Sequence, residues 1–281
     1  MPEVTARGVR FHVQLMEPDA PHCPDPPVVV FVHGLVMDNL SSFYYTIAGP
    51  VAAGGARCVL YDQRGHGRSE RPPTGYGPGD AVADLFAVLD ALGRRAPVVL
   101  VAHSWGGVTA LKATLAHPSR VAGLVMIEGD GPSERPGWTE DILNTLELYA
   151  LALDHDRLPE RLLDFGWRRE SRTAAGDDAL VNGTSLVADI AGAAPVRPAD
   201  LAAVACPVLA VYGRHSELLD AGRLLARAVP RCTLHVMEGH AHTVLREGTA
   251  GLLEVLSPWL ARHAHAGAPV TEGARAMGGA V

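Results

Sequence analysis

Residues 98–107 read VVLVAHSWGG, and a helical pattern, VTALKATLAH, follows directly at 108–117. An apolar run without polar alternation fits a strand buried on both faces of a parallel sheet. The run carries Ser104 onto a sharp strand-to-helix turn, with Trp105, Gly106 and Gly107 leading into the helix. Small neighbours suit that turn because the chain folds tightly back on itself, and a serine there projects its hydroxyl from the end of the sheet. The helix start also offers N–H groups with partial positive charge, where a developing oxyanion would be stabilised. An ordinary N-cap serine is the competing reading, so the rest of the chain has to decide.

Working outward, apolar runs of the same kind predict strands at 28–33 (VVVFVH), 57–62 (RCVLYD), 121–128 (VAGLVMIE), 207–212 (PVLAVY) and 232–238 (CTLHVME). Segment 9–16 adds an antiparallel edge hairpin. Helical patterns alternate with these runs, the signature of a mainly parallel sheet covered by helices. The rhythm changes between 129 and 206. GDGPSERPG opens that region, helical patterns follow near 139–153, 157–170 and 177–191, PVRPADL closes it, and no strong strand falls inside. The expected organisation is an α/β core over 1–131 and 204–264, a helical cap over 132–203, and a small, polar, disordered tail over 265–281.

Two further segments join the serine. Strand 28–33 runs into His33-Gly34-Leu35, where Gly34 permits a tight loop and the Leu35 N–H can converge with the Trp105 N–H as an oxyanion hole. Strand 232–238 runs into Gly239-His240-Ala241-His242. With VHG at 32–34, YDQRGHGRS at 61–69, HSWGG at 103–107 and the late histidine, the chain resembles the α/β-hydrolase superfamily over roughly residues 8 to 262. The resemblance implies a mostly parallel eight-stranded sheet flanked by helices, a helical cap, and no cofactor. Two features depart from the usual pattern. Ala102 replaces the first glycine of G-x-S-x-G. Asp62, Arg64 and His66, although in a diagnostic stretch, are usually structural in relatives.

The resemblance also carries the other catalytic positions. Relatives place the general base in G-x-G-H after the last strand, often with a Glu five residues on. His242 has Glu247 at that distance and is preferred to His240, which falls two places early. Many relatives place the acid after the strand-207 equivalent, where this chain has Ser216 followed by Glu217. A subset places it one strand earlier, about 24 residues after the nucleophile, where this chain has Glu128. Glu128 is preferred, with Glu217 and Asp130 as alternatives.

Composition narrows the function classes. The 281 residues are 48% hydrophobic, suited to a globular protein with a sizeable core. A net charge of −7 argues against a dedicated nucleic-acid binder. Cys23, Cys58, Cys206 and Cys232 show no metal-ligand spacing, and Cys58, Cys206 and Cys232, which flank apolar runs, are expected to be buried free thiols. MPEVTARGVRFHV lacks the basic and apolar regions of a secretory signal, and no apolar run reaches the roughly 18–20 residues needed to span a bilayer. A cytoplasmic location without membrane contact follows as the expectation.

A serine nucleophile excludes the aspartate-dependent dehalogenase and epoxide hydrolase reactions of this superfamily and leaves acyl transfer. Aromatics are scarce at 5%, yet Trp138, Tyr149, Phe165 and Trp167 fall in the cap region and are candidate substrate contacts. Trp105 and Phe43-Tyr44-Tyr45 are expected to join them around an apolar acyl group. A carboxylic ester or thioester is the expected substrate. The Glu in the acid position is reminiscent of thioesterases that release polyketides, with an acyl carrier protein as candidate partner for Arg168, Arg169 and Arg172. A non-catalytic receptor-like protein of the same fold, or an acyl transferase or cyclase, is the alternative.

Overall fold

Every apolar run singled out above forms a strand in the computed structural model, which describes residues 3–19, 25–135, 137–155 and 168–264. β1 (Glu3–Ala6) and β2 (Val9–Met16) form an antiparallel edge hairpin, and β2 pairs antiparallel with β4 (Arg57–Tyr61). β3 (Val28–Val32), β4, β5 (Val98–His103), β6 (Val121–Ile127), β7 (Val208–Gly213) and β8 (Cys232–Met237) are parallel. The eight strands lie in the order β1-β2-β4-β3-β5-β6-β7-β8. The expected strands at 28–33, 57–62 and 121–128 each end one residue sooner. His33, Asp62 and Glu128 stand just past the carboxyl ends of these strands, where α/β sheets build their sites; the Asp62 and Glu128 N–H groups still donate to His12 O of β2 and Val211 O of β7.

Helices cover both faces, so successive strand residues pack on opposite sides. On one side are α1 (Ser41–Tyr44) and α2 (Ala48–Ala53), and on the other α3 (Pro78–Ala91) and α4 (Gly106–Ala116). Val99 and Val101 of β5 belong to one apolar cluster with Phe43 and Val51, while Leu100 and Ala102 belong to another with Leu85 and Leu111. Each such side chain stabilises the fold by about 1.5–3 kcal/mol, and a one-residue register slip would exchange the two sets. Ala102, where relatives carry glycine, is a regular, fully buried residue of β5 paired with Val32 and Met126, so its methyl is packed without distortion of the ladder.

The chain between β6 and β7 carries α5 (Glu140–His155), α6 (Arg168–Val181), α7 (Leu186–Ala191) and the short α8 (Pro198–Leu201). Its two ends meet at an isolated bridge between Pro132 and Val196. Trp105, Leu146, Leu180, Leu186 and Ile190 form a third apolar cluster beneath it. The single helix expected over 177–191 is two. The chain turns over Asn182–Ser185, and the N–H of Ser185, the N-cap residue of the second helix, donates to Pro73 O at 2.9 Å. Most of the helix expected over 157–170 lies outside the described residues, as do Phe165, Trp167 and the tail 265–281. After β7 come α9 (Leu219–Ala228), α10 (Val244–Glu247) and α11 (Thr249–His263). Cys58, Cys206 and Cys232 are free thiols, and burial pushes the Cys58 thiol up to about 12.

Candidate active site

Ser104 stands between β5 and α4 with φ 53, a left-handed conformation that a non-glycine residue adopts only when its surroundings impose it. Close packing imposes it here. A Cβ on Gly106 would come within 2.3 Å of Val32 O, so the turn can lie against β3 only with glycine at that place. The turn is held by Ser104 O, which accepts the N–H groups of Gly107 at 2.8 Å and Asp130 at 2.9 Å.

The Ser104 hydroxyl meets Nε2 of His242 at 3.1 Å. On the far side of that ring, Nδ1 lies 3.4 Å from Glu128 Oε2 and 3.9 Å from Glu217 Oε1. The two carboxylates differ sharply in setting. The Glu128 side chain is 0% exposed, and that of Glu217 is 69% exposed. Glu128, at φ 49 just past β6, also accepts hydrogen bonds from the Gly213 N–H and the Ser216 hydroxyl. Ser216, which stands where an aspartate was expected, therefore directs one of its donors at a carboxylate from the neighbouring strand. His240 turns elsewhere, with Nδ1 2.8 Å from Glu238 O.

Burial disfavours the charged form of His242. The Glu128 hydrogen bond and the charges of Glu217, Glu128 and Asp130 outweigh it, and the pKa is raised above the ordinary histidine value. A free histidine titrates at about 6.5, and the carboxylate surroundings move His242 above that value. A base must be neutral to accept a proton, so the acidic limb of a kcat/KM profile is expected above that value, at more alkaline pH. A pH–rate series from pH 5 to 9 checks this; a midpoint at or below the free value refutes it. Asp130 faces the same cavity, and burial pushes its carboxyl up to about 6.

The N–H groups of Leu35, in the loop after β3, and Trp105, at the start of α4, bond no other backbone carbonyl among the described residues. A Cβ on Gly34 would approach Ser104 Cβ to 3.2 Å, so the Gly34–Leu35 loop passes directly beside the serine. A cavity of about 960 Å³ opens over this point, lined by Leu35, Met37, Trp138, Ile142 and Leu146 as well as Ser104 and His242.

The aromatic candidates divide. Trp138 lines the cavity, stacks on Trp105 with centroids 5.4 Å apart, and donates Nε1–H to Ala193 O at 3.3 Å. Tyr149 falls on α5, its side chain outside the described residues, where those of Arg168, Arg169 and Arg172 also lie. Phe43 is fully buried against Phe31 in the core, while Tyr44 and Tyr45 are 40% and 76% exposed, and none of the three lines the cavity. Trp105 packs behind Trp138 instead of lining it. Asp62, Arg64 and His66 are structural. Asp62 accepts from the N–H groups of Leu40 and Arg68, Arg64 pairs with Asp84, and His66 Nε2 accepts the Val36 N–H. Two residues of the site escaped the sequence reading, Asp38 and His103, which pair at 3.1 Å; the only signal was the position of His103 next to Ser104.

A serine, a histidine and a buried carboxylate in contact at the carboxyl ends of a parallel sheet define an α/β protein of the nucleophile-elbow class. The chain belongs to the alpha/beta hydrolase fold family, whose pattern matches residues 27–249. Among curated relatives, epoxide hydrolase B of Mycobacterium tuberculosis is 36% identical over 126 residues, 44% of this chain and 34% of that protein. 2-Hydroxymuconate semialdehyde hydrolase of Pseudomonas putida is 31% identical over 219 residues, 69% of this chain and 75% of that protein. The chain spans only about a third of the length of the epoxide hydrolases and haloalkane dehalogenase it matches. A solved esterase from Exiguobacterium antarcticum superposes with a TM-score of 0.72 at 22% identity, covering 92% of this chain and 98% of the esterase. No described helix is long and apolar enough to cross a membrane.

Proposed function

We propose that this protein is a serine hydrolase that cleaves a carboxylic ester or thioester with a bulky, mostly apolar acyl group. The observation that carries the reading is the continuous contact from Ser104 Oγ through His242 to the buried Glu128, with Ser104 and His242 lining the cavity. Ser104 attacks the acyl carbon while His242 Nε2 takes its proton. Glu128 orients the ring and stabilises the imidazolium, and the Leu35 and Trp105 N–H groups receive the oxyanion. His242 then protonates the leaving alcohol or thiol. Water, activated in turn by His242, releases the acid and restores Ser104.

The chemistry of the nucleophile separates this reading from the epoxide hydrolases among the relatives. A carboxylate that opens an epoxide forms an ester, which water can cleave. Serine would form an ether, which it cannot. Only at an acyl carbon does Ser104 give an intermediate that turns over.

The helices between β6 and β7 serve in this reading as a cap that supplies the acyl-binding wall. Trp138→Ala is expected to raise KM for long-chain p-nitrophenyl esters several-fold while changing KM for acetate little, because the loss is apolar contact of a few kcal/mol at most. Equal effects on acetate and decanoate would reduce Trp138 to a packing role on Trp105.

The decisive experiment combines labelling by a fluorophosphonate probe with rates on a panel of p-nitrophenyl esters and acyl-thioesters. Labelling of Ser104 and turnover of either class supports the proposal; an inert serine supports the binding-protein alternative. Thioester preference with long acyl chains would favour the narrower role of polyketide release from an acyl carrier protein.

A further inference from the structure

Asp38 follows Gly34 by four residues in the loop after β3 and lines the same cavity as Ser104 and His242. Its Oδ2 accepts the Gly34 N–H at 2.7 Å and faces His103 Nδ1 at 3.1 Å. Its Oδ1 accepts the Asn39 N–H at 2.9 Å and the Ser42 hydroxyl. Burial by itself would raise the Asp38 pKa. The His103 hydrogen bond, the charges of His33 and His103 and the Ser42 hydroxyl prevail and hold it well below the usual carboxylate range. A carboxylate already bound to four groups is poorly placed to shuttle protons, so its use is to hold those groups where they are.

The identity of the donors shows what is being held. Gly34 is bonded to Leu35, which offers one of the two oxyanion N–H groups. His103 is bonded to Ser104. These segments are far apart in sequence, Asp38 and His103 being 65 positions apart, and the Gly34 N–H donates to Asp38. The carboxylate joins them at one oxygen. The His103 ring is itself braced, stacked on His242 with centroids 5.4 Å apart and met edge-on by Phe43 at 6.5 Å.

We infer that Asp38 is a positioning residue that pins the Gly34–Leu35 loop to the nucleophile turn through His103, aiming the Leu35 N–H at the site where the oxyanion forms. The inference rests on the serine hydrolase reading. Released from Asp38, the loop would keep its place in sequence but lose the short-range tie that sets its distance from Ser104. A displacement of about 1 Å at such a group costs on the order of 100-fold in rate.

The test compares a p-nitrophenyl oxoester with its matched thionoester, in which C=S replaces C=O. Sulfur accepts hydrogen bonds weakly, so the oxo-to-thiono rate ratio reports on the oxyanion donors, whereas general loosening slows both substrates alike. Asp38→Ala is expected to lower kcat on the oxoester by on the order of 10–100-fold with little change in KM. The thionoester should slow much less, so the ratio should fall by about tenfold. Asp38→Asn, which keeps one acceptor oxygen, should be intermediate. His103→Phe keeps a ring against His242 but loses the tie, and should lower the ratio in the same direction; it decides the matter together with Asp38→Asn if Asp38→Ala does not fold. An unchanged ratio in these variants, with Ser104 still labelled by a fluorophosphonate, overturns the inference and leaves the hydrolase reading standing. A wild-type protein that neither labels nor turns over either ester overturns both.

Discussion

Ser104→Ala is expected to abolish ester turnover, with kcat falling by thousands-fold or more, while the protein melts close to wild type. The loss is large because, in the proposed reaction, Oγ is the atom that becomes covalently acylated, and neither His242 nor the proposed oxyanion donors can substitute for it. The fold should survive because the turn is not held by the hydroxyl. Ser104 O still accepts the N–H groups of Gly107 and Asp130, and the Ser104 N–H still donates to Ile127 O at 3.3 Å. The side-chain oxygen contacts His242 Nε2, which faces the cavity. Alanine at φ 53 carries about the same strain as serine, so no new backbone cost arises. Initial rates on p-nitrophenyl butyrate, beside a melting curve and fluorophosphonate labelling, make the comparison. A purified variant with near-normal hydrolysis would sink the serine assignment.

The parts of this molecule that were legible in its sequence are those governed by local physics. Strands buried on both faces read as uninterrupted apolar runs, and β3, β5, β6 and β7 were found from composition alone. The elbow was legible because the turn after β5 needs a small residue two places past its nucleophile, Gly106, and has another small one two places before, Ala102. Pairings across the chain were not. At the break between α6 and α7 the Ser185 N–H donates to Pro73 O, more than a hundred residues away, a tie that no local pattern announces. Phe43-Tyr44-Tyr45 looked like a pocket wall because the sequence shows aromatic content but not direction; Phe43 entered the core and Tyr45 the solvent. The His242 environment was hidden in the same way. Glu128, Glu217 and Asp130 gather around the ring from different loops, and together, with the Glu128 hydrogen bond foremost, they raise its pKa.

Glu128→Gln is expected to lower kcat on the order of 10³–10⁴-fold with the fold retained, while Glu217→Gln stays within a few-fold of wild type. The asymmetry follows from what each carboxylate oxygen does. Glu128 Oε1 accepts the Gly213 N–H, and Oε2 faces both the Ser216 hydroxyl and His242 Nδ1. In glutamine the oxygen must remain on the Gly213 N–H, since an amide NH₂ there would oppose another donor. The NH₂ then takes the place of Oε2. Ser216 adapts by rotating its hydroxyl to accept, but His242 is offered a donor at Nδ1 where it had an acceptor. The neutral ring is driven to the tautomer protonated on Nε2, which has no lone pair for the Ser104 proton, and the imidazolium loses its buried counter-charge. Glu217 holds no comparable position. Its side chain is largely solvated and 3.9 Å from Nδ1, so its charge is screened and it fixes no tautomer. Removing that charge should still shift the acidic limb of kcat/KM to lower pH, because Glu217 is among the groups that raise the histidine pKa. Rates and pH profiles for both variants, with Glu128→Asp as the conservative control, give the answer. A crippled Glu217→Gln beside a nearly intact Glu128→Gln would move the acid to the loop after β7.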